Sequence, residues 1–197
     1  RSCGLRPKIE GVVGYVDCVQ QHETAYLVME RLYGQPLGDV LLQKGQKQSA
    51  AEIVLWLKPL LATLQQLHEK AIFHRDISPN NIFLIGKDKP VLMDFGLARE
   101  GVRETWHSTT LGAGTFIAPE QLNGGRCAQR TDLYSLGAVV YLCLHGEAVP
   151  PIDARRQGAA LKRLAQADNL TEWLQNITEQ CLALDIEQRL ESARWLL

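Results

Sequence analysis

The chain has 197 residues, 46% hydrophobic and 22% charged, the size and balance of one packed domain or of one large lobe with a smaller attachment. Its net charge of -1 and scattered basic residues exclude an electrostatic footprint for nucleic acid or for an anionic membrane. Five cysteines at wide, irregular spacings, with no C-x-x-C pair, argue against a disulfide framework or a zinc site and fit reduced thiols in a cytoplasmic protein.

Two short β-branched and aromatic runs, 12–19 and 24–30, flank the polar "QQHE" and predict a hairpin. Residues 32–38, with two glycines and a proline, read as a hinge or loop, and 37–43 as a short helix ended at Gly45. Ser49 and Glu52 form the pattern of a capping box. Ile53, Leu57, Leu60, Leu61, Leu64 and Leu67 then recur at helical spacing, with Pro59 inside the pattern predicting a kink or a lost hydrogen bond. Short strands are predicted at 71–73, 82–85 and 91–93, with "GKDKP" as a turn. Residues 96–114 are polar and aperiodic and read as a long loop, a feature that is usually functional in a compact domain. Helical patterns resume at 131–144, with Thr131 as the leading cap and Gly146 behind, then at 154–166, 170–184 and from 192 onward. The apolar run 133–144 is too short to span a bilayer, and no signal peptide is visible. A small β element, a helix, short hairpins, a long loop and then a helical bundle, with helices segregated from strands, predict an α+β fold.

Two carboxylates stand out: Asp76 in "HRDISPNN" and Asp94 in "MDFG". Each follows a short apolar run, which would set it at a strand end facing a cleft. Asp94 precedes a large anchor, Phe95, and a flexible residue, Gly96, so it can swing onto a metal while Phe95 packs beneath. Asn81 supplies a neutral oxygen ligand, and Mg2+ characteristically binds through one or two protein oxygens plus substrate phosphates. Asp76 is then left to accept a hydroxyl proton. Any one of these residues alone is more often a turn former; their order and spacing carry the argument.

With these motifs in view, the sequence resembles the protein kinase family. "HRDISPNN" matches the catalytic-loop pattern H-R-D-x-x-x-x-N, and "DFG" the metal-binding motif. "APE" at 118–120 closes the segment opened by Asp94. "HRDISPNNI", "APEQL" and "PPIDARRQG" together resemble eukaryotic-like bacterial Ser/Thr protein kinases. The resemblance implies the following roles. Asp76 orients and deprotonates a protein Ser/Thr hydroxyl, within the motif led by His74. Asn81 and Asp94 hold Mg2+ on the phosphates of ATP. The adenine lies at a hinge of Glu30 to Leu32, with Met29 guarding the back pocket and Phe83 as the floor. Asp132 braces the catalytic-loop backbone, and Arg189 pairs with Glu120. Separately from these implied roles, Arg75 abuts the long loop, and two readings of its hydroxyls stay open: phosphate on Thr105, Ser108, Thr109 or Thr110 pairs with Arg75 and orders the segment, or the Ser/Thr cluster is only solvated loop. The partners implied are a nucleotide and a protein substrate.

Three departures accompany the resemblance. Ser78 stands where Ser/Thr kinases carry a lysine on the γ-phosphate; its neutral hydroxyl either replaces that lysine without its charge or serves the turn made with Pro79. "GAGTFIAPE" is two residues shorter between Gly-Thr and APE than the family pattern, which puts the peptide platform in question. No glycine-rich loop and no strand lysine precede residue 12. The opening Arg1 and the final "ARWLL" read as cut edges, so residues 1–31 are expected to be the remnant of an N-lobe with its hinge, and 32–197 the C-lobe. On that expectation the 197-residue chain alone phosphorylates weakly or not at all. The alternatives are a non-catalytic pseudokinase scaffold and a small-molecule phosphotransferase.

Overall fold

A computed structural model describes residues 9–22, 24–45, 47–95, 115–125 and 127–196. Strands β1 (Tyr15–Gln21) and β2 (Thr24–Met29) form the expected antiparallel hairpin, in a register that sets Tyr15 opposite Met29 and Cys18 opposite Leu27. A second antiparallel sheet has the order β3 (Gln35–Pro36), β4 (Ile82–Ile85) and β5 (Lys89–Leu92). The two-residue β3 lies within the segment expected to be loop; its pairing of Pro36 with Phe83 docks that segment on β4. β5 begins at Lys89, inside the expected turn, and ends at Leu92.

Helix α1 (Leu37–Gln43) leads to α2 (Ala50–Glu69), whose start is set by the predicted capping box. Ser49 Oγ accepts from Glu52 N–H at 3.3 Å, and Ser49 N–H donates to Glu52 Oε2 at 3.0 Å. The helix continues through Pro59 as one element, and the Thr63 hydroxyl lies 3.1 Å from both Pro59 O and Glu10 O. Ile53, Leu57, Leu60, Leu61, Leu64 and Leu67 are all buried. Each such side chain contributes roughly 1.5–3 kcal/mol relative to exposure.

Residues 71–73 are not a strand. Ala71 N–H donates to His68 O and Ile72 N–H to Leu67 O, and Ala71 has a φ of 54°. These are the two bonds of a Schellman motif. The amides that a strand would have offered to a neighbour close the C-terminus of α2 instead.

The helical half holds α3 (Pro119–Leu122), α4 (Gln129–His145), α5 (Ile152–Arg156) and α6 (Asn169–Cys181). α4 starts two residues before Thr131, which is therefore not the N-cap; its Oγ1 accepts the N–H of Ala128 at 3.0 Å from inside the first turn. Gly146 closes α4 in the left-handed conformation, as expected.

The helix expected over 154–166 stops at Arg156. Gly158, at a φ of 101°, turns the chain, and Ala159 N–H returns to Ala154 O. Beyond it the backbone is held by side chains of other helices: Lys162 N–H donates to Tyr141 Oη and Leu164 N–H to Gln175 Oε1. α6 ends at Cys181 rather than 184, and Ala193–Leu196 is a 3-10 turn. α2, α4 and α6 share one core, in which Leu57, Leu60, Leu136, Val140, Leu174 and Cys181 meet. Among the described residues, no helix is long and apolar enough to cross a membrane.

Candidate active site

The segment 74–81 leaves the end of α2 and enters β4, so helix and sheet both constrain it. His74 is fully buried. Its Nε2 lies 2.9 Å from Met93 O, and its Nδ1 accepts Asp76 N–H at 3.3 Å. Those partners select the neutral tautomer with the proton on Nε2. Burial pushes the His74 pKa below its ordinary 6.5.

Asn81 draws the polar groups together. Its Nδ2 donates to Asp76 O at 2.8 Å and to Asp76 Oδ2 at 3.0 Å, and its backbone carbonyl accepts Met93 N–H at 2.9 Å. Asp94 follows directly, exposed and at a φ of 53°. The turn carrying Asp94 is thus tied to Asn81, and Asn81 to Asp76. Phe95 packs beneath, 4.7 Å from the His74 ring and against the main core.

With Nδ2 committed to Asp76, the Asn81 amide has Oδ1 as its oxygen donor. Among the described residues no three His, Cys, Asp or Glu side chains gather into a metal cage. A hard ion held by Asn81 and Asp94 and completed by phosphate oxygens fits that donor set.

Asp132, fully buried in the first turn of α4, holds the loop from behind. His74 N–H donates to its Oδ2 at 2.9 Å and Arg75 N–H to its Oδ1 at 2.8 Å. His68, on α2, brings Nε2 to within 2.8 Å of the same Oδ2. Three contacts from two elements thus satisfy a carboxylate that would be costly to bury alone. Arg75 itself is exposed, at a φ of 67°.

A second polar cluster lies behind α3. Arg189 Nη1 and Nη2 donate to Glu120 Oε1 and Oε2, each at 2.8 Å, and Thr131 Oγ1 donates to Oε1 at 2.8 Å. Burial opposes ionisation of Glu120, but the Arg189 guanidinium and the other donors hold its pKa below the ordinary 4.5. The guanidinium also lies over the Tyr134 ring, 4.8 Å from its centroid.

On the sheet side, Met29 ends β2 and faces Tyr15. The Glu30 carboxylate accepts Gly14 N–H at 2.8 Å. Leu32 and Phe83 are half-buried, and a Cβ on Gly34 would come within 2.1 Å of Leu84 O and 3.0 Å of Phe83 Cε1. The backbone at Gly34, just before β3, therefore runs close against Leu84 and Phe83. Ser78 contributes its carbonyl to Asn81 N–H at 3.0 Å and is half-buried. Gly96, Thr105, Ser108, Thr109, Thr110 and residues 112–114 of the shortened approach to APE lie outside the described residues; of the rest, Ala118 is buried and Thr115, Phe116 and Ile117 are half-buried.

Sequence reasoning missed His68, Thr131 as a ligand of Glu120, Tyr134 under Arg189, and Gln121, whose Nε2 donates to Arg75 O at 2.9 Å. Only His68 carried a signal: a histidine in the last turn of an otherwise apolar helix face.

A protein kinase domain family model matches residues 5–196. The chain is 36% identical over 123 residues to serine/threonine-protein kinase PknL of Mycobacterium tuberculosis, covering 61% of this chain and 31% of that protein. It is 31% identical over 180 residues to serine/threonine-protein kinase D of Synechocystis, covering 85% and 34%. The solved PpkA-294 apo form superposes with a TM-score of 0.74 at 26% identity, over 93% of this chain and 66% of that one. The chain spans about a third of the length of these curated relatives. Motif order, α+β architecture and these similarities agree: the chain belongs to the protein kinase domain family, with bacterial serine/threonine-protein kinases among its relatives.

Proposed function

We propose that this chain is the substrate-binding and catalytic portion of a kinase that moves the γ-phosphoryl group of ATP to Ser or Thr hydroxyls of proteins. Residues 1–31 are read as the rear of an N-lobe with the hinge, and 32–197 as the C-lobe. The observation that carries the reading is the linkage of Asp76, Asn81 and the Met93–Asp94 turn through hydrogen bonds of 2.8–3.0 Å.

In this reading Asp76 accepts the proton of the attacking hydroxyl, and the Asn81 amide holds the Asp76 carboxylate in place while it does so. Asn81 Oδ1 and the Asp94 carboxylate hold Mg2+. Bound there, the ion would neutralise charge building on the phosphate oxygens. Met29, Glu30, Leu32 and Phe83 border the adenine. Arg75 and the 105–110 hydroxyls form a phosphorylation-sensitive pair.

The test is γ-phosphoryl transfer to a Ser/Thr protein substrate by the complete natural polypeptide and its Asp76→Asn variant. The expected loss is about 10²–10⁴-fold in kcat. Undiminished transfer by the variant would refute the assignment. Ser78, a neutral group where the family carries a lysine, favours the pseudokinase scaffold as the second reading. Absence of Mg-ATP binding by the complete polypeptide would select it.

A further inference from the structure

We infer that Gln121 is a positioning residue for Asp76: from α3 it holds the peptide plane joining Arg75 to Asp76 and so sets the direction of the reacting carboxylate. The inference rests on the reading of Asp76 as the proton acceptor.

Both ends of the Gln121 amide are used. Its Oε1 accepts Ala118 N–H at 3.0 Å, and its Nε2 donates to Arg75 O at 2.9 Å, across 46 positions of sequence. The opposite edge of the same peptide plane is the Asp76 N–H, which donates to His74 Nδ1. A peptide unit held at its oxygen and at its hydrogen cannot rotate without breaking both bonds.

The clamp has something to resist. Arg75 sits in the left-handed region at a φ of 67°, which is strained for a residue with a Cβ. Asp132 fixes only its N–H side. Without Gln121 the ψ of Arg75 loses its restraint on the carbonyl side, and that angle swings the Asp76 Cα. Because Gln121 also closes the start of α3, the placement of the segment after residue 114 and the direction of Asp76 are mechanically linked.

Gln121→Glu separates the two contacts. The carboxylate still accepts Ala118 N–H but sets an acceptor against Arg75 O. Measured in the complete natural polypeptide, kcat should fall about tenfold or more while the KM for Mg-ATP stays within about twofold, since misplacing a reacting group costs turnover rather than nucleotide affinity. Backbone amides 74–77 should exchange with deuterium several-fold faster. Asp76→Asn is the parallel control.

Wild-type kcat or unchanged exchange in Gln121→Glu, with Asp76→Asn inactive, overturns the positioning role and leaves the role of Asp76 standing. A loss in which kcat, KM and melting temperature move together marks Gln121 as merely structural and also overturns it. Full activity in Asp76→Asn, or no transfer by the wild type, removes the reading of Asp76 and the inference with it.

Discussion

Arg189 and Glu120, 69 positions apart, meet through two parallel hydrogen bonds of 2.8 Å, with the arginine side chain wholly buried. The fork-to-fork geometry is that of a charge-assisted bidentate pair. The guanidinium spends its remaining donors on backbone: Nε on Ala183 O at 2.7 Å, Nη1 on Arg130 O at 3.3 Å and Nη2 on Leu184 O at 3.4 Å. One side chain thereby joins α3, the start of α4 and the turn after α6.

Replacing Arg189 with Met should cost about 3–5 kcal/mol, because a half-buried carboxylate and several carbonyls lose their partner at once. Arg189→Lys should recover little, since an ammonium cannot reproduce the fork. Denaturant unfolding of both variants checks this. A lysine variant as stable as wild type would show that charge alone suffices.

Stability should fall in two acid steps. Unfolded histidine titrates near 6.5, while burial holds folded His74 and His145 below that value. Below pH 6.5 the unfolded chain therefore binds more protons, and stability drops as pH falls through that window. Glu120 adds a second step: its contribution is complete above 4.5 and is lost as pH falls below that toward its lower folded value. Melting temperatures from pH 8 to 2.5 report both steps. In a His74→Asn, His145→Gln double variant the first slope should flatten and the second persist. An unaltered first slope would assign it to other groups.

Gly137→Ala should destabilise by about 1–3 kcal/mol through overpacking. A Cβ there would lie 2.7 Å from Cys181 Cβ and 3.4 Å from Leu182 Cγ, where α4 crosses the end of α6. Adding Cys181→Gly should recover part of the loss, giving a coupling that a thermodynamic cycle measures. Simple additivity of the two substitutions would place the strain elsewhere.

Local chemistry was enough to write several elements into the sequence. The Ser49–Glu52 box started α2, the apolar spacing of its leucines chose the buried face, and Gly146 stopped α4. The order of the Asp76, Asn81 and Asp94 motifs also sufficed for the family. What failed were segments whose backbone partners lie elsewhere in the chain. Residues 71–73 have strand-forming side chains, but their amides close a helix end. Residues 160–164 look helical, but Tyr141 and Gln175 claim their N–H groups. The supporting shell of the site was hidden for the same reason. His68, Thr131 and Gln121 act on residues 11 to 64 positions away, and no local pattern encodes which distant carboxylate or carbonyl a side chain will reach. Hydrogen-bonding periodicity is written residue by residue, whereas long-range satisfaction of buried polar groups exists only once the core has brought them together.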